Sequence, residues 1–109
     1  MNDLCAILLR FRRYHYAFTA DVSEMFLRIR LTESDKRYHW FWWNDSFWQW
    51  NRILFGNRDS PDISKKVITS HALRLRDSYP EACDALIDDT YMDDIIVSRP
   101  NKEDCVKLV

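Results

Sequence analysis

The sequence predicts an α+β fold in which short aromatic or apolar strands alternate with amphipathic helices. Two pairs of strand-like segments are each joined by a short polar turn, and segments with apolar residues at helical spacing lie before and after them. The 109 residues are 47% hydrophobic and 30% charged, which is typical of a globular chain that forms one domain or a piece of one. The net charge of −1 gives no global electrostatic case for a nucleic-acid or membrane partner.

The first third of the chain is predicted to form a helix and two strands. Asn2 caps a helix that runs to about Tyr14, and residues 16–22 form a strand that ends near an acid. After a turn at residues 23–26, residues 27–31 alternate apolar side chains with arginines, as in a half-buried strand. The helix dipole and phosphate contact both remain open as explanations for the basic cluster at the end of the helix, Arg10, Arg12 and Arg13.

An aromatic hairpin is predicted in the middle of the chain. Its strands are residues 40–43 and 47–50, and residues 44–46 form the turn. Aromatic residues occur at both odd and even positions of these strands, so their side chains lie on both faces of the hairpin. We therefore expect one face to pack inside and the other to meet more protein or a ligand. Core packing and base stacking are both open for these rings.

The last half of the chain is predicted to contain three helices and a second hairpin. The helices run from Ser60 to about Tyr79, from Glu81 to about Ile87, and from Asn101 through Val106. The second hairpin has strands at residues 90–92 and 95–97, with two acids at its tip, Asp93 and Asp94.

The cysteines and the apolar segments of the sequence indicate in which cellular compartment the protein is expected. The three cysteines are scattered without a zinc-binding spacing, which fits a reducing intracellular compartment better than a disulfide scaffold. The apolar run Leu4–Leu9 is too short for a membrane span. We therefore expect an intracellular protein with no membrane partner.

Three carboxylates in separate segments suggest a metal site. Asp93 and Asp94 repel each other by about 1 kcal/mol in water and about 4 kcal/mol near a protein surface, at a separation of roughly 4 Å. Asp21 ends an apolar strand and must reach solvent, a cation or a ligand. Mg²⁺ prefers such oxygen ligands, and two ions about 3.5 to 4 Å apart support phosphoryl transfer. Solvated turn acids are the alternative interpretation.

These segments resemble the palm motifs of reverse transcriptases in both order and spacing. The matching residues are Phe18–Phe26, Leu54–Gly56 through Ser60–Pro61, and the sequence Tyr-Met-Asp-Asp at Tyr91–Asp94. The flanking residues Leu8–Arg12 and Tyr79–Ala82 resemble the Bel/Pao class of long-terminal-repeat retrotransposons. The resemblance implies a polymerase palm subdomain, an antiparallel sheet that carries the acidic hairpin and is backed by helices, with part of the fingers. The chain would be a fragment without the thumb, RNase H and integrase regions.

The resemblance also implies roles for the acidic residues. Asp21, Asp93 and Asp94 would be catalytic, and they would hold Mg²⁺, or Mn²⁺ in its place, with the Val22 carbonyl as a further ligand. A primer 3′-hydroxyl would attack the α-phosphate of a deoxynucleoside triphosphate (dNTP) on an RNA or DNA template. The rest of the Pol polyprotein would be a further partner, in the cytoplasm or in a retrotransposon particle.

Five further residues would contact the nucleotide, the template or the primer if the resemblance holds. Phe26 would lie beneath the incoming sugar and exclude a 2′-hydroxyl. Phe55 and Gly56 would lie against the nucleotide and template, and Tyr91 and Met92 near the primer end. The alternative is a retrotransposon-derived remnant without catalysis, which binds nucleic acid or a protein partner through its aromatic hairpin and two basic clusters. The second cluster is Arg28, Arg30, Lys36 and Arg37.

Overall fold

A computed structural model describes residues 2–109, which form an α+β fold with antiparallel sheets, as predicted. The chain divides into two compact units, a larger one that combines the chain up to Ser23 with the chain from Pro61 onward, and a smaller one at Glu24–Ser60. The elements are α1 (Leu4–Phe11), β1 (Tyr16–Asp21), α2 (Met25–Arg28), α3 (Glu33–Lys36), β2 (Trp40–Trp43), β3 (Ser46–Gln49), α4 (Ser60–Leu75), α5 (Pro80–Asp88), β4 (Thr90–Tyr91), β5 (Asp94–Arg99) and α6 (Lys102–Leu108).

The larger unit is built on a three-stranded antiparallel sheet in the order β1-β5-β4. β5 is the central strand, and its Ile, Ile and Val residues suit a strand that is bonded on both sides. The β1–β5 ladder runs from Tyr16 opposite Arg99 to Asp21 opposite Asp94. This register fixes which side chains share a face of the sheet.

Hydrogen bonds join the start of helix α1 to α5 and its end to the sheet. Asp3 caps the helix by accepting a hydrogen bond from the Cys5 backbone N–H, so the prediction of Asn2 as the cap is wrong. The Asn2 side-chain amide instead donates to the Ile87 carbonyl at 2.7 Å, because this residue lies over the end of α5. At the other end, the Ser98 hydroxyl donates to the Arg10 carbonyl at 2.8 Å.

The core of the larger unit lies on both sides of this sheet. Ile7 of α1 and Val97 of β5 are buried almost completely, at 0% and 1% exposure. α5 and α6 contribute small buried side chains, Cys83, Ala85 and Cys105. All three cysteines are free thiols, and Cys5 is exposed. Among residues 2–109, no helix has both the length and the apolar character that a membrane crossing requires.

Helix α4 is shorter than predicted. It ends at Leu75 rather than near Tyr79. The Leu75 carbonyl accepts hydrogen bonds from the backbone N–H groups of both Ser78 and Tyr79, which closes the last turn before Pro80 begins α5. Lys65 of this helix donates to the Ile87 carbonyl at 2.6 Å, which joins α4 to α5. Burial lowers the pKa of the Lys65 ammonium, an effect that Asp88 partly offsets.

In the smaller unit, the first two residues of one predicted strand belong to a helix, and the rest of it pairs only briefly with residues 51–53. Residues 27–31 were expected to be extended, but Met25–Arg28 form α2 and only Arg30 forms an isolated bridge, with Arg52. The residues of α2 are mostly good helix formers, and Arg28 pairs with Glu24 at the i,i+4 spacing. The alternation of apolar residues and arginines extends over only five residues, and it did not outweigh the helix preference of Met25–Arg28.

The aromatic hairpin forms, but its second strand is Ser46–Gln49 rather than residues 47–50, because Ser46 pairs with Trp43 instead of belonging to the turn. Its rings remain exposed on both faces. Its turn is Asn44-Asp45, whose φ angles of 50° and 57° match a two-residue type I′ turn. Trp42 and Phe47 are opposite each other on one face, with 58% and 71% exposure, while Trp43 on the other face is 67% exposed. The expectation that one face packs inside is therefore wrong, because Phe41 is the one half-buried ring of these strands and it packs against Trp50. Trp42 and Phe47 contact each other edge to face across the two strands.

We predict that Ile7→Ala lowers the free energy of unfolding by about 2 to 5 kcal/mol, because it leaves a cavity where α1 packs on the sheet. Urea denaturation followed by circular dichroism measures this change. Leu9→Ala is the matched control in the same helix, since Leu9 is 73% exposed and its loss should change stability by about 0.5 kcal/mol or less. Equal effects of the two substitutions would contradict this packing of α1.

Candidate metal centre

A two-residue turn at Met92-Asp93 joins β4 to β5. The sequence predicted Asp93 and Asp94 as the turn, so the turn lies one residue earlier than expected and Asp94 is a strand residue. The reason is the central position of β5, where Asp94 is paired with Tyr91 on one side and with Asp21 on the other. A turn at Met92-Asp93 and a turn at Asp93-Asp94 would both suit a turn preference for Asp. The β1–β5 ladder selects the first, because it pairs Asp94 with Asp21 as a strand residue.

The β1–β5 register brings two carboxylates together. Asp21 and Asp94 are directly opposite in antiparallel strands, so their side chains leave the same face of the sheet. Asp93 joins them because the Val22 backbone N–H donates to the Asp93 carbonyl at 2.8 Å. One carboxylate oxygen from each of the three acids lies within 4.8 Å of the others.

The acidic triad, Asp21, Asp93 and Asp94, offers only oxygen donors. Asp21 and Asp94 are exposed and Asp93 is half-buried, so water reduces their mutual repulsion without removing it. No Lys or Arg among residues 2–109 forms an ion pair with any of the three. A group of carboxylates at this spacing has the chemistry that a hard divalent cation requires.

The turn that carries Asp93 is conformationally strained. Met92 has a φ of 55°, in the left-handed region where a residue with a side chain costs roughly 1 to 2 kcal/mol. Its side chain is 46% exposed, while Tyr91 before it is half-buried. Tyr91 and Met92, the two predicted primer-contacting residues, immediately precede Asp93 in the chain. Met92 is the one with the strained backbone conformation.

The three predicted nucleotide-contacting and template-contacting residues belong to the smaller unit. Phe26 and Phe55 contact each other edge to face, with ring centroids 5.1 Å apart, and Phe55 is 68% exposed. Gly56 follows with a φ of 82°, which a residue with a side chain would adopt only under strain. A Cβ atom at Gly56 would meet nothing within 4 Å, so the backbone conformation, rather than a close protein neighbour, requires glycine here.

The chain was compared with protein-family models, with curated proteins and with solved structures. No match was found in any of the three comparisons.

Sequence reasoning missed the direct pairing of Asp94 with Asp21. The apolar run after Asp94, Ile95–Val97, covers only three of the six positions that pair with residues 16–21, so the sequence carried no clear signal for this register. The placement of Asp93 by the Val22 N–H had no sequence signal, because any residue except proline carries that donor.

We predict that Asp94→Asn raises the free energy of unfolding by at most about 1 kcal/mol in EDTA, because it removes like-charge repulsion across the ladder. Asp45→Asn is the matched control, since Asp45 is an exposed turn acid outside the triad. Urea denaturation at low ionic strength measures both variants. A clear loss of stability in Asp94→Asn would show that this carboxylate makes a favourable contact instead.

Proposed function

We propose that this chain is a fragment of an RNA-directed DNA polymerase of the Bel/Pao retrotransposon type, and that its larger unit is the palm subdomain. The convergence of the three acids of the Phe18–Phe26 and Tyr-Met-Asp-Asp motifs within 4.8 Å is the observation that carries this proposal. Asp93 follows Asp21 by 72 positions in the chain, and acids that were only solvated would gain nothing from proximity, since like charges repel. Their meeting at one end of the β1–β5 ladder supports a common role.

The donor set of the triad fits Mg²⁺ or Mn²⁺. Asp21, Asp93 and Asp94 would hold the metal through carboxylate oxygens, and the backbone of Val22 lies beside them through its bond to Asp93. When bound, a pair of such ions supplies activation of an attacking hydroxyl and stabilisation of the leaving oxygen. The contribution of the chain itself is to hold three anionic side chains close together on a hydrogen-bonded ladder.

The proposal assigns the remaining site residues to the substrates. A primer 3′-hydroxyl would attack the α-phosphate of a dNTP, with RNA or DNA as template. The contacting Phe26 and Phe55 rings would form an apolar surface for the sugar and base of the nucleotide, and Gly56 would follow them against the template. Tyr91 and Met92 would lie near the primer end.

We predict saturable binding of Mn²⁺ that Asp93→Asn weakens about tenfold or more, because a charged ligand is lost. Isothermal titration calorimetry of the full chain measures the affinity. Asp45→Asn, which changes the same charge outside the triad, should bind Mn²⁺ as the unmodified chain does. Loss of affinity in both variants would indicate general electrostatic attraction and contradict the metal centre.

A second candidate function is binding of single-stranded nucleic acid without catalysis. The exposure of aromatic rings on both faces of the β2–β3 hairpin favours it, because bases stack on such rings for about 1 to 3 kcal/mol each. Arg30 and Arg52 are directly opposite in the isolated bridge of the same unit, and two like charges so placed favour a nearby anion. A protein partner would use the same rings.

We predict for this second function that a single-stranded oligonucleotide quenches tryptophan fluorescence in EDTA and that Trp43→Ala weakens its binding about fivefold or more. Leu9→Ala is the control for an exposed apolar side chain elsewhere. Binding that persists in EDTA and depends on Trp43 supports this second function. Binding that requires Mn²⁺ and depends on Asp93 supports the polymerase assignment instead.

A further inference from the structure

A small cavity lies where the end of α1 meets the end of β5, away from the acidic triad. Its volume is about 210 Å³, and its lining includes Arg10, Arg13 and Tyr14 from one segment and Ser98 and Arg99 from the other. Arg99 is opposite Tyr16, five residues along β1 from the pair that Asp21 forms with Asp94. At about 3.4 Å per residue, roughly 17 Å of strand separates the two ends of the ladder.

One of the three arginines is fixed by protein groups. The Arg10 Nε lies 2.9 Å from the Asp89 carboxylate, and its terminal nitrogen donates to the Asp88 carbonyl at 2.7 Å. The backbone carbonyl of Arg10 also accepts the Ser98 hydroxyl. Arg10 and Asp89 therefore form a charge-paired wall of the cavity.

The other two arginines lack a carboxylate partner within residues 2–109. The Arg13 guanidinium is held over the Tyr14 ring at 5.1 Å, and one Arg99 nitrogen donates to the Ser98 carbonyl at 2.8 Å. Each guanidinium carries five N–H donors, so most of them remain available for a ligand. With Asp89 as the one acid in the lining, the cavity has a formal charge of +2.

The helix dipole explains only part of this arrangement. Arg10 lies in the last turn of α1, where a cation is favoured, but Arg13 lies beyond the helix and Arg99 comes from a strand. Two uncompensated cations that share one cavity repel each other. A bound anion would remove that repulsion.

We propose that this cavity binds a phosphate group, with Arg13 and Arg99 as its ligands and Arg10 as the fixed wall. Guanidinium groups match the oxygens of phosphate through paired hydrogen bonds, and Tyr14 also lines the cavity beneath the Arg13 guanidinium. The volume exceeds the roughly 30 Å³ of one water but is below the roughly 300 to 1,000 Å³ of a site for a drug-sized ligand. A single phosphate group, rather than a whole nucleotide, therefore fits.

The test is a titration of the full chain with inorganic phosphate, followed by backbone amide chemical shifts. We expect saturable shifts centred on Tyr14, Ser98 and Arg99, and Arg13→Gln should weaken the affinity about tenfold or more because a charged donor is lost. Arg99→Gln should have the same effect. Arg12→Gln is the matched control, since Arg12 is an exposed neighbour with the same charge that does not line the cavity.

Two results would overturn the proposal. The first is an equal loss of affinity in Arg12→Gln and Arg13→Gln, which would show diffuse attraction to a basic surface. The second is the absence of saturable shifts at the cavity with both inorganic phosphate and a short single-stranded oligonucleotide. Thermal denaturation of each variant confirms that an effect on binding is not a loss of folding.

The oligonucleotide titration also distinguishes the two sources of the phosphate group. If the cavity takes a backbone phosphodiester, the oligonucleotide shifts the same amides, inorganic phosphate competes with it, and Arg13→Gln weakens it. If the cavity takes a free phosphate, the oligonucleotide leaves these amides unchanged while inorganic phosphate shifts them. The acidic triad is unchanged in every variant, so failure of this proposal is distinct from failure of the metal centre.

Discussion

The antiparallel register between β1 and β5 determines where the side chains of the two candidate sites of the larger unit lie. In this register Asp21 is opposite Asp94 at one end of the ladder, and Tyr16 is opposite Arg99 at the other. A slip of one residue would move every side chain of one strand to the other face of the sheet and separate the two acids. Both the acidic triad and the arginine-lined cavity therefore depend on the same hydrogen-bonded ladder.

The β1–β5 register forms although it places two like charges, Asp21 and Asp94, opposite each other. Placing like charges opposite each other costs up to about 1 kcal/mol, and the left-handed Met92 costs roughly 1 to 2 kcal/mol more. Burial of Val97 and Ile7 on the two sides of the same strand region offsets these costs, since burying such a side chain contributes about 1.5 to 3 kcal/mol. Strain and repulsion concentrated at one turn, and supported by a well-packed core elsewhere, are typical of a functional site.

Much of the fold was predictable because its elements have strong local patterns. The strand at Tyr16–Asp21, the hairpin around Asn44 and the helix after Pro80 follow from apolar spacing and from turn or breaker residues. The failures have physical reasons. Residues 25–28 are helical because their helix preference outweighs a short alternation, and the turn at Met92-Asp93 is set by a second ladder that local sequence does not encode.

The candidate site was predictable as a set of residues but not as a geometry. The motifs selected Asp21, Asp93 and Asp94, and the structure brings one oxygen from each within 4.8 Å of the others. The means of bringing them together, a strand pair and one backbone hydrogen bond from Val22, could not be deduced from residue types. Arg99 illustrates the same limit, because only the register associates it with the basic cluster at the end of α1.

The most direct test of the central claim is anomalous diffraction from crystals of the full chain soaked in Mn²⁺. We predict an anomalous peak within about 2.0 to 2.5 Å of carboxylate oxygens from at least two of Asp21, Asp93 and Asp94. The peak should be absent from crystals of Asp93→Asn treated in the same way. If the three carboxylates point to separate surfaces, or if manganese binds elsewhere and leaves the triad empty, the metal centre and the polymerase assignment that depends on it are both contradicted.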